Sequence, residues 1–217
     1  MIETNQARDR FRAAYENRYT WNDNFPGYTA ELELKQRDES YRATIQINAD
    51  FSVLVSGIDD EKVRESINYH LRDVITHRKR NSFESTHGKN SFALGETDET
   101  GAVEILVKGD SMGSNYKIRG TEICQVSRVM GAMAFSINTS KSFDTGEGYI
   151  STGYHAIFRD AKTNEIKGER EFSETYEKFG DYYLPTHQII DSIDKDGTKI
   201  TTEFIFSAIE FLQPNLN

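Results

Sequence analysis

The chain has 217 residues, of which 36% are hydrophobic, 12% aromatic and 28% charged, enough apolar mass for a substantial core and within the range of one β-rich domain. A net charge of −9 with a pI near 5.1 argues against a general nucleic-acid binder, because neutralising phosphates needs a positive surface. No apolar stretch approaches the roughly 20 residues that span a bilayer, and MIETNQARDRFRAAYENRYTW lacks the apolar run of a signal peptide. The expectation is therefore a soluble protein without a transmembrane segment that stays in the cytoplasm.

With three Pro and no Ser/Gly tract, nothing reads as a linker, and residues 1–217 are expected to form a single domain. The lone cysteine, Cys124, allows no internal disulfide or cysteine-pair zinc site. Its setting in TEICQV predicts an inert, buried strand residue.

Ala7, Phe11, Ala14, Tyr15 and Tyr19 fall near helical spacing and predict an amphipathic helix over Asn5–Arg18. After the turn cluster Asn22–Gly27, Tyr28, Ala30, Leu32 and Leu34 alternate with polar residues, as do Tyr41, Ala43, Ile45 and Ile47. With Phe51–Ser56 they predict a three-stranded meander. Asp59 is placed to cap a second helix whose Val63, Ile67, Leu71, Val74 and Ile75 form one stripe, running to about His77.

Beyond Asn90 the period is two. Strands are predicted around Val103–Val107, Tyr116–Ile118, Cys124–Val126 and Met133–Ile137, followed by four long ones between Tyr149 and Leu212. Asp196-Gly197 has the composition of a type I′ hairpin turn. Near Ala208 the apolar face shifts from even positions (Ile200, Phe204, Phe206) to odd ones (Ile209, Phe211), which predicts a β-bulge. The whole reads as a mainly β (α+β) chain. About eleven strands form a single curved antiparallel sheet or incomplete barrel, with two principal helices covering its concave face.

Helix, meander, helix and a long antiparallel series is the element order of the lipoprotein-carrier (LolA-like) half-barrel fold. The stretches FRAAYENRYTWNDNFPGYTAELEL, HRKRNSFESTHGKNSFALGETDETGAVEILVKGDSMGSNYKIR, FDTGEGYISTGY and FGDYYLPTHQII resemble an uncharacterised family of cyanobacterial and chloroplast proteins, over nearly the whole chain. That resemblance implies an oxygenic phototroph, a cytoplasmic or stromal setting and a lipoprotein-carrier-like architecture. It implies no catalytic residue.

Gly109-Asp110-Ser111-Met112-Gly113 matches the G-x-S-x-G elbow of α/β-hydrolases. An elbow must lead into a helix, however, and Asn115–Arg119 alternates like a strand, so a hairpin turn is expected. His70, Asp73 and His77 share one side of the second predicted helix, a weak metal-ligand spacing. Asn138-Thr139-Ser140 is a glycosylation sequon without a secretory route. No cofactor or metal is predicted.

His77-Arg78-Lys79-Arg80, followed by His87-Gly88-Lys89, is the strongest local charge anomaly in this acidic chain. Cations at a helix C-terminus complement the macrodipole, and Arg78, Arg80, His87 and Lys89 could also grip an anionic group. Arg170 and Glu174 fall on the predicted buried side of their strand with Ile166, Phe172 and Tyr176, opposite an acidic outer face of Glu165, Glu169, Glu171 and Glu177. Together with the inward-reading Tyr28, Met133, Tyr154 and Tyr176, Arg170 and Glu174 are candidate lining of a cavity that is apolar with a few placed polar groups.

These features predict a non-enzymatic protein that binds an apolar or amphiphilic ligand, a lipid or a pigment. The alternative is an assembly or regulatory factor that contacts a protein of the photosynthetic apparatus.

Overall fold

The structure, a computed structural model, describes residues 2–109, 114–193 and 197–213, with side chains from Asn5 onward. Along the chain run α1 (Ile2–Glu16), β1 (Gly27–Gln36), β2 (Glu39–Asn48), β3 (Val53–Ser56), α2 (Glu61–Arg78), α3 (Phe83–His87), β4 (Ser91–Thr97), β5 (Val103–Lys108) and β6 (Ser114–Arg119). The series ends with β7 (Glu122–Met130), β8 (Met133–Asp144), β9 (Tyr149–Asp160), β10 (Ile166–Phe179), β11 (Tyr182–Ile193) and β12 (Lys199–Phe211).

The twelve strands form one open antiparallel sheet in the order β3-β2-β1-β12-β11-β10-β9-β8-β7-β6-β5-β4. The mainly β architecture read from the alternation therefore holds, with twelve strands among the described residues against about eleven expected, and a short third helix beside the two principal ones. The added strand, β4, carries only Phe92 and Leu94 as large apolar residues, too few to show a period. The added helix, α3, is a single turn over Phe83–His87, capped by the Ser82 hydroxyl, which accepts from Ser85 N at 3.1 Å.

Boundaries follow local chemistry. α1 ends at Glu16, before Arg18, because the chain is drawn into a bridge where Tyr19 N donates to Tyr149 O at 2.9 Å and Tyr149 N to Asn17 O. α2 is capped by Asp60, one residue later than expected, its carboxylate accepting from Lys62 N and Val63 N.

The chain packs as two compact units, Met1–Tyr19 with Asn81–Phe172 and Thr20–Arg80 with Ser173–Asn217. In the first, α1 lays Ala7, Phe11, Ala14 and Tyr15 against Phe83, Phe92, Val103, Ile105, Val107, Tyr116 and Ile118, all buried. Phe11 sits at the centre, with ring centroids 4.6 Å from Tyr116, 4.9 Å from His87 and 5.4 Å from Phe92. Such a cluster adds geometry-dependent attraction to its large area of burial.

In the second unit, the even residues Tyr28, Ala30, Leu32 and Leu34 of β1 and the odd residues Ala43, Ile45 and Ile47 of β2 are buried, together with Phe204 and Phe206 of β12. Ile67, Leu71, Val74, Ile75 and Arg78 form the buried stripe of α2. Trp21 stacks on Phe25 at 4.3 Å, and its indole N–H donates to Tyr183 O at 3.0 Å. The bulge is present: Thr29 pairs with Glu210 but Glu31 with Ser207, so β12 carries one extra residue there, and Ala208 takes φ 49°.

Candidate functional site

In the first unit, cross-strand register carries the face under α1 outward in rows. Tyr116 pairs with Val126, Val126 with Ile137, and Ile137 with Ala156. One row over, Ser114 pairs with Arg128, Arg128 with Phe135, and Phe135 with Phe158. On β10, Phe172 stacks on Tyr154 at 4.4 Å and the Arg170 guanidinium lies 5.5 Å from the Phe158 ring centroid.

Cover changes along this face. Under α1, Ile105, Val107, Tyr116 and Ile118 are buried, whereas Val126, Phe135, Ile137, Tyr154, Phe158 and Phe172 are only half-buried. α1 is 15 residues long and the face is wider than one helix. The result is a strip of four aromatic rings with Arg128 and Arg170 on it. Arg128 marks the border, donating from Nε to Ser114 Oγ at 3.0 Å and from Nη2 to Tyr116 Oη at 3.1 Å. Arg170 is exposed.

The second unit holds a polar network. Arg78 donates from Nη2 to Tyr176 Oη at 3.3 Å, and Tyr176 donates to Glu174 Oε2 at 2.8 Å. His70 Nε2 and Gln188 Oε1 are 2.6 Å apart, and the His70 ring lies on that of Phe204 with centroids 3.8 Å apart. Burial lowers the pKa of His70, so the ring is neutral near pH 7. Burial also pushes the Tyr28 and Tyr176 phenols well above their ordinary value, keeping both protonated. Tyr28 Oη, Gln188 Nε2 and Asn68 Oδ1 are buried with no protein group in hydrogen-bond reach.

The residues read from the sequence divide between these places. Met133, Tyr154 and Arg170 belong to the strip's face, with Met133 exposed at its end. Tyr28, Arg78, Glu174 and Tyr176 belong to the network of the second unit. Of the four site candidates in the basic run, Arg80 and Lys89 are exposed, Arg80 reaching Thr20 Oγ1 at 3.4 Å.

Arg78 and His87 are buried instead. Arg78 continues the helical spacing of Ile67, Leu71 and Val74, so its stem is carried inward. His87 packs against Phe11, Tyr15, Phe83 and Tyr116, and burial with the nearby Arg18 and Arg128 lowers its pKa to about 4. The charge of that run is thus partly internal, and His87 contributes none near neutrality.

The other motifs resolve in the same way. Asp110, Ser111, Met112 and Gly113 lie outside the described residues, but Ser114–Arg119 after them is β6, where a nucleophile elbow needs a helix. His70 points into the second unit, while His77 and Asp73 are exposed and 3.8 Å apart. No cluster of three metal-ligating side chains occurs among the described residues. Cys124 is half-buried, not fully buried. Its thiol donates to Lys117 O at 3.4 Å and desolvation raises its pKa, so it is a poor nucleophile.

The sequence alone reads Phe135 and Phe158 as inward-facing and His70 only as part of a weak metal-ligand spacing; it gives no sign of Gln188 or Arg128. Only the apolar period of β8 and β9 hinted at the strip.

A comparison with curated proteins returns no match. Among solved structures, a LolA superfamily protein from Nitrosomonas europaea is 11% identical, with 96% of this chain and 94% of that one covered, at a TM-score of 0.36. A DUF1329 family protein from Desulfovibrio piger is 8% identical, with 99% and 95% covered, at a TM-score of 0.33. The DUF3386 family model, described as a protein of unknown function, matches residues 2–212, and the chain belongs to that family.

Proposed function

We propose that this protein is a non-enzymatic binder of an amphiphilic ligand, a lipid or a pigment, whose apolar part lies on the half-covered strip of the first unit. The observation that carries this reading is the contrast along one face. The core residues of β5 and β6 are fully buried under α1, yet Phe135, Tyr154, Phe158 and Phe172 keep partial access to solvent beside Arg170. An apolar wall with a few polar groups is the usual make-up of a small-molecule site, and an arginine on an aromatic ring suits a carboxylate or phosphate head.

The network of the second unit takes a different part in this proposal. Arg78 and His70 come from α2, Tyr176 and Glu174 from β10, and Gln188 from β11, so the network pins the helix to its sheet. Arg80, His87 and Lys89 are left outside the ligand site.

Pigment as the ligand, and a cytoplasmic or stromal setting, are supported by the resemblance of four sequence stretches to proteins of oxygenic phototrophs. We further propose that residues 1–217 act as one binding domain, a reading supported by a single family model that spans both units.

The test is native mass spectrometry of protein purified from its own organism, paired with titration of the stripped protein with cis-parinaric acid. A bound amphiphile, and saturable fluorescence that Phe158→Ala weakens, are expected. A stripped protein that shows no saturable binding of the acid overturns the reading.

A further inference from the structure

Four of the eight exposed large hydrophobic side chains among the described residues gather at one end of the first unit. They are Val129, Met130, Met133 and Ile166, exposed by 49%, 61%, 45% and 47%. Met130 pairs with Met133 across the two-residue turn Gly131-Ala132, in which Gly131 takes φ 61°. A glycine at the first central position is what a II′ hairpin turn requires. Ala161 N donates to Ala132 O at 2.9 Å, tying this tip to the turn that leads into β10 at Ile166.

Three of the four lie on the ligand strip's own face. Arg128 pairs with Phe135 on that face, and one step of the two-residue period carries it to Met130 and Met133. Along β10 the same period carries Phe172 and Arg170 to Ile166. The exposed methionines therefore continue the aromatic strip to the edge of the unit.

The tip is also locally basic. Arg159, Lys162 and Lys167 stand against Asp160 and Glu165 within residues 159–167, in a chain of net charge −9, while the Arg128 guanidinium is turned back to Ser114 and Tyr116. The two acids are engaged: Asp160 Oδ1 accepts from Lys162 N and Thr163 N, each at 2.9 Å, and Glu165 pairs with Lys167 at 2.7 Å.

We propose that this tip docks the protein on an anionic lipid surface, with Met130, Met133 and Ile166 entering the headgroup boundary and the basic side chains facing the lipid charge. What is handed between bilayer and strip rests on the proposed function, but the docking does not. A lipid surface fits better than a protein partner because a stable protein interface takes about 800 Å² and 20–30 residues on each side, whereas the tip offers four side chains. Methionine is unbranched and adaptable, which suits a fluid boundary with no fixed shape to match. One short apolar contact is a marginal anchor alone, so the basic rim supplies the second signal.

Flotation with vesicles of phosphatidylcholine alone, or of phosphatidylcholine with phosphatidylglycerol, reads the docking. The parent should float with the anionic vesicles and not the neutral ones, and added salt should release it. Met130→Glu/Met133→Glu should lower vesicle affinity by about tenfold or more, and Arg159→Glu/Lys162→Glu should abolish the preference for anionic lipid. Arg159 and Lys162 lie off the strip, so the charge variant should bind cis-parinaric acid in vesicle-free solution as the parent does, whereas Phe158→Ala should lose the acid and still float. Equal flotation on both vesicle types, or full flotation of the methionine variant, overturns the proposal. So does a parent that floats with neither, which leaves the patch to a protein partner.

Discussion

Tyr154 and Phe172 stack from neighbouring strands with ring centroids 4.4 Å apart and planes 15° from parallel, yet both remain half-buried. A stacked aromatic pair left partly wet differs in consequence from one sealed in a core. Phe11→Ala, at the centre of the first unit's cluster, should cost about 3–5 kcal/mol, as for a large buried aromatic. Phe172→Ala gives up part of its burial and one ring pair, about 1–2 kcal/mol, while weakening cis-parinaric acid binding by about tenfold. Urea denaturation and fluorescence titration of the two variants check this, and equal stability losses would sink it.

The His87 imidazole sets a pH dependence. Its pKa is about 4 in the folded chain against 6.5 for the free group, so between those values the unfolded chain takes up a proton that the folded chain refuses. Stability is therefore full above about pH 6.5 and falls as pH drops toward 4, by on the order of 3 kcal/mol for this group. His70, also lowered by burial, adds a loss of the same sign. Urea midpoints between pH 7 and 4.5 should show the slope, and His87→Gln should remove about one proton's share of it. An unchanged slope in that variant would show that His87 is protonated in the fold.

Much of this fold is written in the two-residue period, because a sheet with one buried face forces alternation on every strand that is long enough. Ile200, Phe204 and Phe206 against Ile209 and Phe211 even locate the bulge. β4 is illegible because Phe92 and Leu94 are only two points of a period. The strip was half legible: alternation puts Phe135, Tyr154, Phe158 and Phe172 on one face, but how far α1 covers that face depends on packing that no local pattern records. Arg78 misleads for a physical reason, since a cation in a last helical turn is ordinarily solvated, and only the stripe Ile67, Leu71, Val74 hints that its stem continues inward. His70 and Gln188 are 118 residues apart and share no local signal at all.

Ala208 holds φ 49° at the bulge of β12 and is exposed. A left-handed conformation costs a residue with a Cβ about 1–2 kcal/mol, while glycine gives back about 0.5–1 kcal/mol through its freer unfolded chain. Ala208→Gly should thus raise stability by about 0.5–1 kcal/mol, the end-to-end difference of those two ranges. Ala208→Val, β-branched at the same positive φ, should lower it by at least about 1 kcal/mol. Thermal melts of the pair give opposite signs if the bulge is strained, and two losses if it is not.

The two buried tyrosines of the second unit should answer opposite ways to the same substitution. Tyr28 Oη is buried without a protein partner, so Tyr28→Phe removes a desolvated polar atom and should be neutral or stabilising by up to about 1–3 kcal/mol. Tyr176 Oη accepts from Arg78 and donates to Glu174, so Tyr176→Phe removes the link between a buried guanidinium and a carboxylate and should cost about 1–3 kcal/mol. The loss should show as a lower urea midpoint with an unchanged slope, since the compactness of the fold is not altered. If Tyr28→Phe destabilises as much as Tyr176→Phe, the Tyr28 hydroxyl has a partner that the protein itself does not supply. The interior of the second unit then holds a bound small molecule or an ordered water.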